Sequence, residues 1–154
     1  MSRTVWRIAT DTPSYEAHDL SGAGAKATGG RWNKKDAPVV YTSETRALAC
    51  LETVVHLNAG GLPLNRYLVE VMIPDDVWAK AWGENSTSLA IGWDAEPAGW
   101  ASIDFGTKWL QSGDSALLVI PSVIVPEEFN VLINPQNSAS AGITANKVRK
   151  WLYD

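Results

Sequence analysis

Three segments of this chain carry polar side chains that the local pattern does not require. The segment 29–33 (GGRWN) presents Arg31 beside two glycines, which let the backbone turn sharply or approach a ligand closely. The planar guanidinium of Arg31 suits a phosphate or a carboxylate, so this segment could hold an anionic ligand. The alternative is a loop with an exposed arginine and a core tryptophan.

The second segment runs from Tyr41 to Glu52 and contains these two residues as candidates. Tyr41 ends an apolar strand, where its ring can be packed while its hydroxyl finds a polar partner. Glu52 follows Leu48 by one helical turn and lies at the edge of an apolar stripe, from which a carboxylate can face a cleft. There it could stabilise a developing positive charge or orient a nucleophile. The alternative is a boundary glutamate whose carboxylate reaches solvent along its own stem.

The third candidate is Ser122, in the otherwise apolar run 119–126 (VIPSVIVP). A hydroxyl there must be hydrogen-bonded if it is buried. Arg7 raises a similar question, because a charge in an early strand needs a partner. The alternatives are a kink or bulge at Ser122 and an edge-strand arginine that faces water at Arg7.

The elements that must position these residues are mostly strands. Alternating or continuously apolar runs predict strands over 4–9, 38–42, 66–73, 116–120, 123–125 and 130–133. Helices are predicted from a cap at Ser43 to a stop at Asn58 and 60–61, over 75–82 from a cap at Asp75, and over 100–111. Residues 11–33 and 83–99 are predicted to be loops, and 146–153 fits either a strand or a helix. Strands without strict βαβ alternation favour a mixed α+β domain.

Length and composition limit the class of protein. A chain of 154 residues predicts a single domain over 1–154, and 45% hydrophobic with 19% charged residues excludes a disordered tail or a coiled coil. A net charge of −4 argues against direct contact with DNA. No apolar run approaches ~18 residues, so no membrane span is expected. One cysteine and two histidines predict neither a disulfide nor a structural zinc site, and fit the reducing cytoplasm.

Together these segments resemble the RES domain, the toxin half of bacterial RES–Xre toxin–antitoxin modules. The family is named after an Arg, a Glu and a Ser, which Arg31, Glu52 and Ser122 match. The surrounding motifs follow in the order expected for the family over almost the whole chain. They are WR at 6–7, GGRWN at 29–33, VYTS at 40–43, ALACLE at 47–52, PSV at 121–123 and NVLINP at 130–135.

The resemblance implies a fold similar to ADP-ribosyltransferases and an activity that consumes NAD⁺ as a substrate, with no cofactor or metal. The nicotinamide–ribose bond would be cleaved by hydrolysis, or by phosphorolysis with inorganic phosphate as co-substrate. Arg7 and Arg31 would clamp the pyrophosphate, and Tyr41 would stack on the nicotinamide. Glu52 would stabilise the oxocarbenium-like ribose, and Ser122 would hold Glu52 or bind the nicotinamide amide or the ribose.

The resemblance also implies a cognate Xre-type helix-turn-helix antitoxin that covers the active-site cleft and makes the contacts with DNA. It allows a homodimer within that complex and predicts growth arrest through loss of NAD⁺. Two other functions stay open. One is mono-ADP-ribosylation of a protein, and the other is a non-catalytic module that binds a nucleotide or sugar on its eight tryptophans and glycine-rich loop.

Overall fold

A computed structural model describes residues 1–55 and 65–153, and in these residues a seven-stranded mixed sheet is accompanied by four α-helices. The strands are β1 (Ser2–Thr10), β2 (Val40–Ser43), β3 (Arg66–Pro74), β4 (Trp82–Gly83), β5 (Leu117–Pro121), β6 (Phe129–Ile133) and β7 (Thr144–Lys150). The helices are α1 (Ala23–Thr28), α2 (Arg46–Val54), α3 (Asp75–Trp78) and α4 (Trp100–Ser112), with a 3₁₀ turn at Ser138–Gly142. The predicted α+β class is therefore confirmed.

The sheet runs in the order β4-β5-β6-β2-β1-β3-β7, with antiparallel neighbours except for the parallel pair β4–β5. The alternation in β3 buries Val69, Val71 and Ile73 against one cluster of the core, as a period of two requires. Successive residues of β5 enter different clusters: Leu117 packs with β3, whereas Leu118 packs with Trp32 and Trp109. Both faces of the sheet are covered at β5, which explains its continuously apolar sequence.

The sheet is weakest between its two central strands. All nine residues of β1 pair with β3, and the four residues of β2 pair with β6. By contrast, β1 and β2 share a single residue pair in the described part of the chain, Trp6 with Ser43. A cleft opens at this junction, lined by 6–8 of β1 and 41–43 of β2. The split in the sheet is therefore what creates the candidate site.

Helix α2 packs on β1 and carries Glu52 towards the cleft. Its buried residues are Leu48, which belongs to the predicted apolar stripe, and Ala49, which does not. The predicted cap at Ser43 is wrong: the Thr45 hydroxyl accepts a hydrogen bond from the Leu48 N–H at 3.1 Å, while Ser43 still belongs to β2. The helix stop predicted at 58–61 lies outside the described residues.

Four other predictions need correction or completion. The stretch 11–33 contains α1, a helix without buried residues and hence without an apolar stripe to reveal it. Residues 123–125 form a turn rather than a strand. Of the stretch 146–153, residues 146–150 are the end of β7, and 151–153 follow the strand without regular structure. The helix predicted over 75–82 is shorter, because α3 ends at Trp78; Asp75 is its first residue rather than its cap, and no side chain caps the first turn. Among the helices described, none is long and apolar enough to cross a membrane.

Candidate active site

The cleft between β1 and β2 has a volume of about 580 Å³, a size typical of small-molecule sites. Four predicted site residues line it: Arg7, Arg31, Tyr41 and Glu52. Ser122 is fully buried and contacts the cleft through Glu52. The fold thus brings all five predicted residues to one place, although their roles stay predictions.

The carboxylate of Glu52 is held through one of its two oxygens. Oε1 accepts hydrogen bonds from the Ser122 hydroxyl at 2.6 Å and from the Asn130 amide at 3.1 Å. Asn130 is itself oriented, since its Oδ1 accepts from the Ser43 hydroxyl at 2.7 Å. Within 1–55 and 65–153, Oε2 accepts no hydrogen bond. One oxygen is therefore fixed, and the other is available to a ligand.

The direction of the Ser122 hydroxyl is set by the turn that follows it. Its Oγ accepts the backbone N–H groups of Ile124 and Val125, both at 3.1 Å. With its acceptor capacity used in this way, the hydroxyl proton points to Glu52. The expectation that Ser122 holds Glu52 matches this geometry.

Arg31 is anchored to the loop between β4 and α4. Its Nη1 donates to the carbonyls of Trp93 at 3.2 Å and Ala95 at 2.8 Å, while Nη2 lies 3.1 Å from the carboxylate of Glu96. The side chain is largely buried at 19% exposure, so its position is well defined. Arg31 therefore presents a fixed positive charge to the cleft.

Tyr41 holds the loop 29–33 in addition to lining the cleft. Its hydroxyl donates to Asn33 Oδ1 at 2.6 Å and accepts from the Trp32 N–H at 3.0 Å. Burial raises the pKa of Tyr41 above its usual range, so the hydroxyl keeps the proton that it donates. A Cβ on Gly30 would lie 2.8 Å from this hydroxyl, which explains why glycine is needed there.

Arg7 brings a second positive charge to the cleft from β1. Its Nε is buried and has no hydrogen-bond partner among the described residues. Burial lowers the pKa of Arg7, and the charge of Asp19 opposes that shift. A buried guanidinium N–H without an acceptor is costly, so an anionic group in the cleft would be favoured beside it.

Several lining residues were not singled out in the sequence. Asn130 lies in the motif at 130–135 that matched the family, but its hydrogen bond to Glu52 depends on the pairing of β2 with β6, which are distant in the sequence. Arg66 lines both this cleft and a smaller neighbouring cavity of about 250 Å³, and a charge in an alternating strand could have drawn attention to it. Glu96 lies in a polar loop and gives no such signal. No cluster of three or more His, Cys, Asp or Glu suited to a metal ion occurs in the described ranges.

The comparison with protein families decides the assignment. The family model described as RES domain matches residues 4–154. The chain belongs to the RES domain family. The resemblance noted in the sequence is thereby confirmed, and Arg31, Glu52 and Ser122 all lie within the matched region.

Curated relatives of this RES domain are named as toxins. A protein of Sphingobium sp. (strain YBL2) named "Prs ADP-ribosylating toxin" is 64% identical over 154 residues, which covers 100% of this chain and 96% of that protein. A "Toxin Res" of Yersinia enterocolitica is 34% identical over 129 residues, which covers 81% of this chain and 80% of that protein. At this level the chain is a RES-domain toxin.

A solved structure supports the fold. The Mycobacterium tuberculosis MbcT–MbcA toxin–antitoxin complex contains a chain that matches with a TM-score of 0.66. The match covers 97% of this RES domain and 85% of that chain, at 14% sequence identity. At so low an identity, the likeness shows the shared α+β fold.

Proposed function

We propose that this RES-domain toxin cleaves the nicotinamide–ribose bond of NAD⁺ and transfers the ADP-ribosyl group to a protein. The observation that carries the proposal is the fixed carboxylate of Glu52 in a cleft that also contains Arg7 and Arg31. NAD⁺ has a positively charged leaving group at one ribose and a doubly negative diphosphate beyond it. One carboxylate and two guanidinium groups in one cleft complement that distribution of charge.

The chemistry assigns Glu52 to the reacting ribose. As the bond between ribose C1 and the nicotinamide nitrogen breaks, its electron pair leaves with neutral nicotinamide and positive charge develops on the sugar. The fixed carboxylate stabilises that charge without reorganising at the moment of reaction. A lone pair of the acceptor then forms the new bond to C1, and the acceptor's proton passes to Oε2 of Glu52 or to water.

The other residues bind and orient the substrate. The diphosphate lies nearest Arg7, whose buried Nε lacks an acceptor in the described residues, and Arg31 at the same cleft. Arg66, which lines the cleft and the cavity beside it, adds a third positive charge. The ring of Tyr41 borders the space for the nicotinamide, and Ser122 keeps Glu52 in place.

A protein is favoured as acceptor over water or phosphate because of the Sphingobium relative. It is 64% identical over the whole chain, and its name describes a toxin that ADP-ribosylates Prs. Hydrolysis and phosphorolysis, which the sequence resemblance suggested first, are the other two fates of the same cleaved bond. A module that binds NAD⁺ without cleaving it is the remaining alternative.

A cognate antitoxin is the proposed partner. The structural neighbour comes from a toxin–antitoxin complex, which supports a partner of that kind for this chain. We expect an Xre-type antitoxin to cover the cleft and to make the contacts with DNA, with a homodimer of this chain allowed in the complex. The cytoplasm, where NAD⁺ is available, is the expected location.

The test is to incubate the purified, antitoxin-free chain with NAD⁺ labelled in its adenylate half, with and without phosphate and with and without a bacterial protein extract. Products are resolved by chromatography and mass spectrometry. Nicotinamide release together with label on a protein supports the proposal. Free ADP-ribose would indicate water as the acceptor, and ADP-ribose 1″-phosphate would indicate phosphate. Bound but intact NAD⁺ would identify a binding module.

A further inference from the structure

The two nitrogens at the end of Arg31 have very different partners. Nη1 is bonded to two backbone carbonyls, those of Trp93 and Ala95, which are part of the fold. Nη2 is bonded to the side chain of Glu96, 3.1 Å away. The Arg31 side chain is 19% exposed, whereas that of Glu96 is 81% exposed. A well-fixed cation is therefore covered by a carboxylate that remains almost fully in water.

Glu96 is not the main anchor of Arg31. The two carbonyls hold the guanidinium whether or not the carboxylate is present, and an ion pair with so exposed a partner contributes little to stability. Both residues line the cleft. Glu96 thus occupies the side of Arg31 that a ligand in the cleft would use.

We propose that Glu96 is an internal competitor for the anion site on Arg31 and lowers the affinity of the cleft for the diphosphate of its substrate. This inference rests on the proposed function, in which that substrate is NAD⁺. A diphosphate carries more charge than one carboxylate and also reaches Arg7, so it displaces Glu96. The displacement breaks the Arg31–Glu96 ion pair and leaves the negative charge of Glu96 near the bound diphosphate. Glu96 thereby sets how much NAD⁺ is needed to fill the cleft.

The test is the binding of inorganic pyrophosphate to the whole chain, measured by calorimetry at low ionic strength. Glu96→Gln keeps the shape of the side chain and removes its charge. Asp94→Asn is the matched control: it removes the same charge two residues away, from an exposed side chain that does not line the cleft. We expect Glu96→Gln to bind pyrophosphate about three- to tenfold more tightly than the wild type and Asp94→Asn to differ by less than about twofold.

The gain must also depend on Arg31. In an Arg31→Gln background, Glu96→Gln should give no comparable gain. Equal affinities in Glu96→Gln and wild type, weaker binding in Glu96→Gln, or no binding by Glu96→Gln would each overturn the inference. So would an equal gain in Asp94→Asn, since that would reflect net charge alone.

The KM for NAD⁺ separates this inference from the proposed function. A lower KM with an unchanged kcat in Glu96→Gln supports both. A gain in pyrophosphate affinity in a chain that never releases nicotinamide would sustain the role of Glu96 and refute the proposed activity. Turnover of NAD⁺ without any effect of Glu96→Gln on KM or pyrophosphate affinity would support the proposed activity and refute the role of Glu96.

Discussion

At the scale of single residues, the position of Glu52 depends on side chains that come from three separate parts of the chain. Ser122 follows β5, Asn130 lies in β6, and Ser43 ends β2. These residues restrict the carboxylate to one orientation, and such restriction is worth large factors in rate when a charged group must meet a reacting atom. Ser122 and Asn130 are therefore positioning residues for the proposed reaction.

Replacing Ser122 by alanine should lower kcat for nicotinamide release about 10- to 100-fold while KM for NAD⁺ changes little. The hydroxyl contacts Glu52 rather than the cleft, so its loss disorders the carboxylate without removing a substrate contact. Steady-state kinetics measure both constants. Ser102→Ala is the control, because Ser102 is equally buried but lies in α4, where its hydroxyl donates a hydrogen bond to the carbonyl of Gly99. An unchanged kcat in Ser122→Ala, or a rise in KM alone, would contradict this role.

At the scale of elements, the loop 29–33 is held from both sides. On one side, the hydroxyl of Tyr41 in β2 is hydrogen-bonded to Trp32 and Asn33 of the loop. On the other side, α4 packs against it. A Cβ on Gly106 of α4 would lie 1.8 Å from the Trp32 carbonyl oxygen, which is backbone and has little freedom to move. The close approach of α4 fixes Trp32 and, next to it, Arg31.

Gly106→Ala should therefore reduce the free energy of unfolding by about 3 kcal/mol, near the upper end for overpacking a core. Urea denaturation at neutral pH measures the change. Gly83→Ala is the matched control, since a Cβ there meets no atom within 4 Å. If the two variants were equally stable, the contact between α4 and the loop would be looser than described.

The sequence predicted the elements whose side chains repeat with a period. β1, β3, α2 and α4 fall where apolar residues alternate or recur every three to four positions, and burial produces that repeat. It missed α1, which buries nothing, and the turn at 123–125, where the Ser122 hydroxyl replaces strand pairing. Local periodicity carries no information on such side chain–backbone bonds.

The candidate site was predictable to a similar extent. Arg31, Glu52 and Ser122 stand out because they interrupt patterns, and the family motif names them. Asn130 and Glu96 do not stand out, since their roles arise from strand order and from a loop that returns to the cleft. A network assembled from distant segments requires the fold.

At the scale of the whole molecule, an ion pair ties the end of the first strand to the last. Lys147 of β7 donates to the carboxylate of Asp11, which follows β1, at 2.8 Å. This hydrogen bond lowers the pKa of Asp11, helped by the N–H of Ala17, and raises the pKa of Lys147. Strand β7 covers the edge of β3, so the pair helps to close the sheet at that side.

Asp11→Asn should be less stable than the wild type at pH 7, by an amount that depends on pH. A carboxyl group with a lowered pKa stabilises the fold above its unfolded value of about 3.9 and loses that effect as the pH falls through the lowered value. Urea denaturation from pH 7 to pH 3 should show the difference narrowing below about pH 4. Asp114→Asn, at an exposed position without an ion pair in the described residues, is the control. A difference that stays constant over this range would contradict the linkage.

The central claim is that the nicotinamide–ribose bond of NAD⁺ is cleaved in the cleft between β1 and β2, with Glu52 stabilising the charge that develops on the ribose. Its most direct test is nicotinamide release by the purified chain and by Glu52→Gln, with equal folding checked by thermal unfolding. We predict release by the wild type and a loss of at least about 100-fold in kcat for the variant, with NAD⁺ binding retained. Release at the same rate by both proteins, or none by the folded, antitoxin-free wild type, would contradict the claim.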